Sequence, residues 1–372
     1  MQRILHISKY YYPFSGGTEQ IARDCVQALR NDYEEKVIAF NDGKEDVVDI
    51  IDGVEVIKCG CFAKISSQSL SRSYAQRLKK VMDEFKPDII IFHYPNPFVA
   101  KLLLKDIKRK DVKLIIYWHL DIIKQKFLRI FFYGQNRKLL RNAYKVITTS
   151  PNYIEGSDWL KSAKEKCIIV PNCINEERMQ VTQEIEDKAT EIREINKGKT
   201  ICVAVGRHTE YKGFSYLIQA SKLLDDSFKI YIAGTGELTE QLHKEAEGDS
   251  KITFTGLIDD MELKALIYAA DIFCFPSVTR NEAFGLALAE AMYYEKPAVT
   301  FTIPGSGVNY VCLNGEDGIE VENRNVEKYA EALRGLAKDE HARRRYGEAG
   351  KKRVVENFLD RQFSDNIRNA IL

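Results

Sequence analysis

The stretch "TICVAVGRHTEYKGF", Thr200 to Phe214, decides the fold. Thr200 to Val205 form an apolar, β-branched run stopped by Gly206, the pattern of a strand buried on both faces. A polar loop follows, and a helical pattern runs from Phe214 to Leu224. Strand, loop and helix in that order are the repeating piece of a parallel sheet covered by helices.

The same alternation extends in both directions. Upstream strand candidates are "RILHIS", "KVIAF", "VEVIKC", "DIIIFH", "KLIIYW" and "KVITTS"; downstream they are "FKIYIAG", "KITFTG", "IFCFPS", "PAVTF" and "GIEVE". Helical patterns lie between them, as at Ser71 to Phe85, Leu238 to Glu247 and Asp260 to Ala269. The series restarts after "KCIIVPNCIN" and a charged span, Glu176 to Lys199. A linker near Pro171 to Asn175 therefore separates two α/β domains, 1–173 and 174–355. The final segment, about 356–372, reads as a late helix with no following strand, free to cross back to the first domain. Two domains also fit a chain of 372 residues, too long for one ordinary core.

Composition narrows the class. The chain is 45% hydrophobic and 29% charged, as in ordinary soluble domains, and has no apolar run of membrane-spanning length. "MQRILHISKYYY" lacks a signal-peptide core, so a cytoplasmic location is expected. Eight cysteines without a C-x-x-C pair read as reduced core residues. A net charge of +1 conceals a basic region: Gly60 to Lys145 holds 19 Lys and Arg against 6 Asp and Glu. Such a face attracts an anionic partner, unless it is a set of solvated helix faces. Within it, Ile122 to Lys145 interleaves cations with Phe127, Phe131, Phe132 and Tyr133. That pattern suits an anionic membrane surface, or a core helix with a basic outer side. No nucleic-acid module accompanies it, and nucleic acid is not an expected partner.

Four motifs carry chemistry. Arg207 follows a buried strand and Lys212 opens the next helix, at the carboxyl end of the sheet where ligands of such folds bind. A guanidinium fork and an ammonium there can clamp a diphosphate, or be two solvated loop cations. In "TRNEAFGLALAEAMYYEKP" a helix beginning near Phe284 or Gly285 leaves Glu282 in the preceding loop and puts Glu290 inside the helix. Eight residues at about 100° each place the two carboxylates off one face. The first N–H groups of that helix, at about Phe284 to Leu286, can receive phosphate oxygens, and Glu290 can accept from a ribose diol or sit at a solvated helix edge. In "KYYYPFSGGTEQIARDCVQAL", Gly16 and Gly17 allow close backbone approach at a helix start, or make a plain strand-to-helix turn. In "IIYWHLDIIKQK", His119 ends a strand as a site residue or as a satisfied structural histidine.

Taken in order, the Gly-Gly loop, the His at a strand end, "PNCIN", Arg-x4-Lys and E-x7-E with "AFG" resemble the retaining nucleotide-sugar glycosyltransferases of family 4, over nearly the whole chain. "FHYPNPF" and "TIPGSGVNYV" look most like the mannosyl- and rhamnosyl-type members of bacterial surface polysaccharide synthesis. The resemblance implies the GT-B architecture, two Rossmann-like doubly wound parallel-sheet domains facing across a cleft. It implies that Gly16 and Gly17 lie near donor phosphate and acceptor, with Glu19 on the acceptor side. Arg207 and Lys212 would bind the diphosphate; Glu282 and the backbone of Ala283, Phe284, Gly285 and Leu286 would hold sugar and phosphate. Glu290 would take the ribose, Ile258 would border the base, and His119 would contact the sugar near the reacting carbon. The implied partners are a GDP- or UDP-linked donor and a glycan or lipid-diphosphate-linked acceptor, on the cytosolic face of the inner membrane. The chain has no D-x-D triplet, so no metal ion and no other cofactor is expected. Alternatives are a GT-B sugar-nucleotide epimerase and a non-catalytic sugar-nucleotide-binding subunit. The chain departs from the family pattern at Ala283, where Gly is common, at Cys173 in place of a linker Gly, and at Tyr294-Glu295, where Cys-Gly is usual.

Overall fold

The computed structural model describes the chain apart from residues 15, 66–67, 108–111 and 123–125 and the side chains of 65, 106 and 126–131. It divides into two units, Met1–Asn172 with Arg361–Leu372, and Cys173–Asp360.

The first unit contains β1 (Arg3–Ile7), β2 (Glu34–Phe40), β3 (Val47–Ile51), β4 (Val54–Cys59), β5 (Ala63–Ile65), β6 (Gln68–Leu70), β7 (Ile89–Tyr94), β8 (Lys113–Trp118), β9 (Lys145–Thr148) and β10 (Cys167–Ile169). Eight of these form one sheet in the order β10-β9-β8-β7-β1-β2-β4-β3, while β5 and β6 pair separately as a hairpin. Every pair in the large sheet is parallel except β3 with β4. Burial explains the difference: all six residues of β7 are buried, whereas β3 at the edge exposes Val48 and Ile50. The strand order reverses between β1 and β7, the crevice where open α/β sheets take ligands.

The second unit contains β11 (Thr200–Val205), β12 (Phe228–Ala233), β13 (Ile252–Gly256), β14 (Ile272–Phe275), β15 (Ala298–Phe301) and β16 (Gly318–Val321). All are parallel, ordered β13-β12-β11-β14-β15-β16, so the reversal falls between β11 and β14. Two doubly wound parallel sheets are what the alternating pattern predicts.

The charged span after the linker is not merely polar. Thr182 Oγ1 caps the helix Gln183–Ile195 by accepting from the Ile185 N–H, and Ile185 and Ala189, four apart, are buried. The last helix, Asp360–Ile371, buries Phe363, Ile367, Ala370 and Ile371, a one-sided stripe. It is tied into the first unit by Arg368 Nε to Asp32 Oδ2 at 3.0 Å, and by Lys113 Nζ donating to the Leu372 carbonyl at 3.3 Å. Within the second unit, Ile174 N donates to Phe358 O and Asp360 N to Ile174 O, so both ends of that unit are hydrogen-bonded together. Among the described residues the eight cysteines form no disulfide, and seven of them are buried. Among the described residues, no helix is long and apolar enough to cross a membrane.

Candidate functional site

The second unit gathers its candidate residues at the β11/β14 reversal. Lys212, in the short 3-10 turn Glu210–Lys212, swings back over the end of β11. Gly206 makes room for it: with φ +156°, a Cβ there would lie 3.1 Å from Lys212 Cε. The ammonium reaches Glu282 Oε2 at 2.5 Å and sits 5.1 Å from the Phe275 ring centroid. Both side chains of this pair are nearly buried. Burial pulls the Lys212 ammonium down, but the Glu282 carboxylate outweighs it and the net shift is upward. Glu282 Oε2 also accepts from Ser277 Oγ at 3.1 Å, and the Glu282 carbonyl accepts from Ser306 Oγ. Arg207, by contrast, is exposed and has no ion pair among the described residues.

The helix after Glu282 spans Leu286–Tyr293, with Gly285 as its N-cap at φ +97° and no side-chain cap. That left-handed conformation favours glycine, and a Cβ would also press on the Phe275 ring at 3.1 Å. The Leu288 and Ala289 N–H groups both donate to the Gly285 carbonyl, while those of Leu286 and Ala287 have no partner among the described residues. Phe284 is buried against Phe358, which anchors the loop from below. The helix starts where the sequence predicts, with Glu282 before it and Glu290 in its second turn.

Glu290 is partly buried, and burial pushes its carboxyl up to about 7. The nearby cations do not pair with it: Lys264 Nζ binds Asp260 at 2.6 Å, and Arg178 also pairs with Asp260. Beside it, the buried Tyr294 hydroxyl has no hydrogen-bond partner among the described residues. Ile258 is partly buried two residues beyond the end of β13, next to Leu257, which is 82% exposed.

In the first unit, Gly16 is the extended N-cap of the helix Gly17–Leu29, and both glycines are exposed. Glu19 folds back so that its carboxylate fills the space where a Cβ on residue 16 would lie, and accepts from Thr18 Oγ1 at 2.8 Å. His119 lies just past β8 and is 5% exposed. Its Nε2 meets His93 Nδ1 at 2.9 Å, and its ring stacks on Tyr117 with centroids 4.4 Å apart. Burial pulls the His119 imidazolium down to about 3, so the ring is neutral near neutral pH.

The structure thus joins Lys212 to Glu282, sets Arg207 on the same loop, and leaves Glu290 a full helical turn beyond the uncapped N-terminus. Ser277, Ser306, Gly206, His93 and Tyr117 complete these surroundings, and only Gly206, beside Arg207, carries a local sequence signal. Of the basic stretch from Ile122 to Lys145, residues 123–125 and the side chains of Phe127 and Phe131 lie outside the described residues. Tyr133 is exposed and lies against Trp159, ring centroids 5.0 Å apart.

Residues 15–178 match the model of Glycosyltransferase Family 4, and residues 185–353 that of Glycosyl transferases group 1. The chain belongs to the family 4 glycosyltransferases. This glycosyltransferase is 29% identical to O-antigen chain mannosyltransferase C of Escherichia coli, over 96% of this chain and 94% of that protein. It is 26% identical to D-rhamnosyltransferase WbpZ of Pseudomonas aeruginosa, over 90% and 86%. Among solved structures, sucrose-phosphate synthase from Thermosynechococcus elongatus superposes with a TM-score of 0.84 at 18% identity, covering 100% of this chain and 98% of that one. Anabaena Alr3699/HepE in complex with UDP and glucose follows at 0.78 and 17%, covering 100% and 99%. These likenesses give the glycosyltransferase the GT-B fold.

Proposed function

We propose that this glycosyltransferase moves a hexose, such as mannose or glucose, from a GDP- or UDP-linked donor to a glycan or lipid-linked acceptor of bacterial surface polysaccharide, with retention of configuration. The observation that carries the reading is the buried Lys212–Glu282 pair beside the unpaired Arg207 and the uncapped helix at Leu286. The O-antigen mannosyltransferase and rhamnosyltransferase relatives support the substrate class.

The chemistry follows from charge. A departing nucleoside diphosphate gains negative charge as the bond from its phosphate oxygen to the anomeric carbon breaks. Arg207, Lys212 and the Leu286 and Ala287 N–H groups stabilise that charge, and preorganised donors of this kind contribute about 10²–10³ each in rate. These groups take the role of a metal ion, and the expected reaction needs none. The backbone of Ala283 to Leu286 cradles phosphate and sugar, while Glu282 accepts from sugar hydroxyls. Glu290 accepts from the ribose diol, and Ile258 borders the base. His119 contacts the sugar near the reacting carbon. Gly16 and Gly17 give close passage to donor phosphate and acceptor, with Glu19 on the acceptor side. Retention is served when the acceptor oxygen bonds the anomeric carbon on the face the phosphate leaves, and a phosphate oxygen takes the acceptor's proton.

The acceptor reading extends to a membrane. A groove of about 620 Å³ between the helices Pro97–Asp106 and Lys126–Asn142 is lined by Lys101, Lys105, Lys138 and Arg141, with no carboxylate among the described residues. None of these four cations has an ion pair among the described residues, which suits lipid headgroup phosphates at the cytosolic face of an inner membrane. Co-sedimentation with vesicles should rise with their anionic lipid content; binding indifferent to that content removes the membrane from the reading.

The decisive test is a thermal-shift screen against GDP-, UDP-, ADP- and dTDP-sugars, followed by turnover with the stabilising donor. One donor class should raise the melting temperature, and NMR of the product should show the donor's anomer. An inverted anomer defeats retention, and loss of turnover in EDTA defeats metal independence.

A further inference from the structure

A line of buried polar side chains crosses the first unit on one face of its sheet. β2 pairs Glu35 with Ile4, and His6 lies two residues on along β1. β1 pairs His6 with Ile91, and His93 lies two residues on along β7. β7 pairs His93 with Tyr117, and His119 lies two residues on, past β8. Side chains two apart share a face of a sheet. Glu35, His6, His93 and His119 therefore form a diagonal over four neighbouring strands, and all four are at least nine-tenths buried.

Their contacts run the same way. Glu35 Oε1 lies 2.7 Å from His6 Nε2. The His6 and His93 rings stack at 6.2 Å, and His93 Nδ1 lies 2.9 Å from His119 Nε2. His6 Nδ1 and His93 Nε2 are buried and have no hydrogen-bond partner among the described residues. Three of the six histidines of the chain thus stand in one file, ended by a carboxylate. Such a file is costly to bury and adds nothing that an apolar sheet face would not, so it calls for a use.

Tyr117 narrows what that use can be. Its ring lies over His119 at 12° and over His93 at 14°, and its hydroxyl donates to Asn172 Oδ1 at 3.1 Å. The ring plane of His119 is held, and what remains free is which of its nitrogens bears hydrogen. A carboxylate can only accept, so Glu35 keeps hydrogen on His6 Nε2 and leaves His6 Nδ1 bare. No hydrogen bond joins His6 to His93 among the described residues, but hydrogen on His93 Nε2 would put a donor, and not a second bare nitrogen, beside the neighbouring His6 ring, and would leave His93 Nδ1 to accept from His119 Nε2–H. In that arrangement every N–H in the file would be directed toward Glu35.

We propose that Glu35, His6 and His93 are positioning residues that lock His119 in the tautomer with hydrogen on Nε2. Its Nδ1, which has no protein partner among the described residues, is thereby fixed as a hydrogen-bond acceptor for a hydroxyl of the transferred sugar. The ligand assignment rests on the reading of His119 as a sugar contact, while the lock itself does not.

The test is a long-range ¹H–¹⁵N spectrum of the full chain labelled with ¹⁵N-histidine at neutral pH, with His119 assigned through a His119→Gln variant. His119 should be neutral with a bare Nδ1. His93→Leu should relax it to a mixture of tautomers and lower kcat about tenfold, the worth of one hydrogen bond, at little change in KM for the donor. His93→Asn, whose amide oxygen can accept from Nε2–H, should restore both the tautomer and kcat. A wild-type spectrum with hydrogen on Nδ1 overturns the lock, as does an unchanged His119 tautomer in His93→Leu. Transfer at the wild-type rate in His119→Ala instead overturns the sugar-contact reading and leaves the spectrum standing.

Discussion

The two units build their candidate sites from opposite materials. Past β11 and β14, the side chains are charged: Lys212 buried against Glu282, Arg207 exposed and unpaired, Glu290 hovering between forms near neutral pH. At the ends of β7 and β8, they are imidazoles held neutral by burial and clamped by stacking on Tyr117. Charge placed before the ligand arrives gives binding energy toward an anion, at the cost of sensitivity to salt and pH. A neutral, ring-clamped group gives little binding to an anion but holds direction, which matters where bonds change. Under the proposed function, the second unit therefore supplies affinity and the first supplies orientation.

The sharpest way to break that division is Lys212→Ala. Transfer should fall by about 10²–10³, the usual worth of one preorganised donor at a developing charge. The same change strands the Glu282 carboxylate, and unpairing a buried charge typically costs about 3–5 kcal/mol. Combining it with Glu282→Gln removes the stranded charge, so stability should recover while transfer does not. Near wild-type turnover in either variant would defeat the phosphate role of Lys212.

His119→Ala probes the other side of the comparison. kcat should fall about 10²-fold, as when a reacting group loses its orientation, and the affinity for free nucleoside diphosphate should not change. A large loss of nucleotide affinity, measured by calorimetry, would show that the first unit holds the anion too. Arg207→Ala should do the reverse. Its guanidinium is exposed and unpaired, so the fold should be unaffected. Nucleoside diphosphate affinity should drop roughly ten- to hundredfold, the worth of hydrogen bonds to a charged group. The loss should shrink in high salt and vanish with the bare nucleoside; an equal loss for the nucleoside would remove Arg207 from the phosphates.

Much of this was legible before any coordinates. β11 announces itself because six residues, five of them apolar and four β-branched, run unbroken to Gly206, as in a strand covered on both faces. The loop-then-helix split of Glu282 and Glu290 follows from helical geometry alone. What was not legible depends on register and on contacts far apart in sequence. Nothing local to Lys212 says that it will meet Glu282, or that Ser277 and Ser306 will hold that loop. The diagonal from Glu35 to His119 exists only once four strands are aligned. Strand β3 was missed because at the edge of the sheet its apolar residues face solvent. Glu295 stands where the family usually has Gly, and it takes φ +59°, the conformation that glycine adopts without strain. Its carboxylate meets Lys351 at 2.8 Å, an exposed pair that offsets little of that strain.

Glu290 offers the subtlest test, because it is charged only part of the time. Its carboxyl titrates at about 7, raised chiefly by burial. A ribose diol donates to a carboxylate, so the ionised form is the one that binds. Affinity for a nucleoside diphosphate sugar, whose phosphates do not titrate in this range, should rise about tenfold from pH 6 to pH 8. Glu290→Gln should flatten that profile, and an unchanged profile would take the ribose from Glu290. Stability should move the opposite way. A carboxyl raised in the folded state favours folding in its protonated form, and the penalty for ionising it grows as pH climbs from the ordinary carboxylate range through 7. Glu290→Gln should therefore raise the melting temperature more at pH 8 than at pH 5. A variant that is more stable at high pH yet binds donor less well there would show that this carboxylate is kept for its ligand and not for the fold.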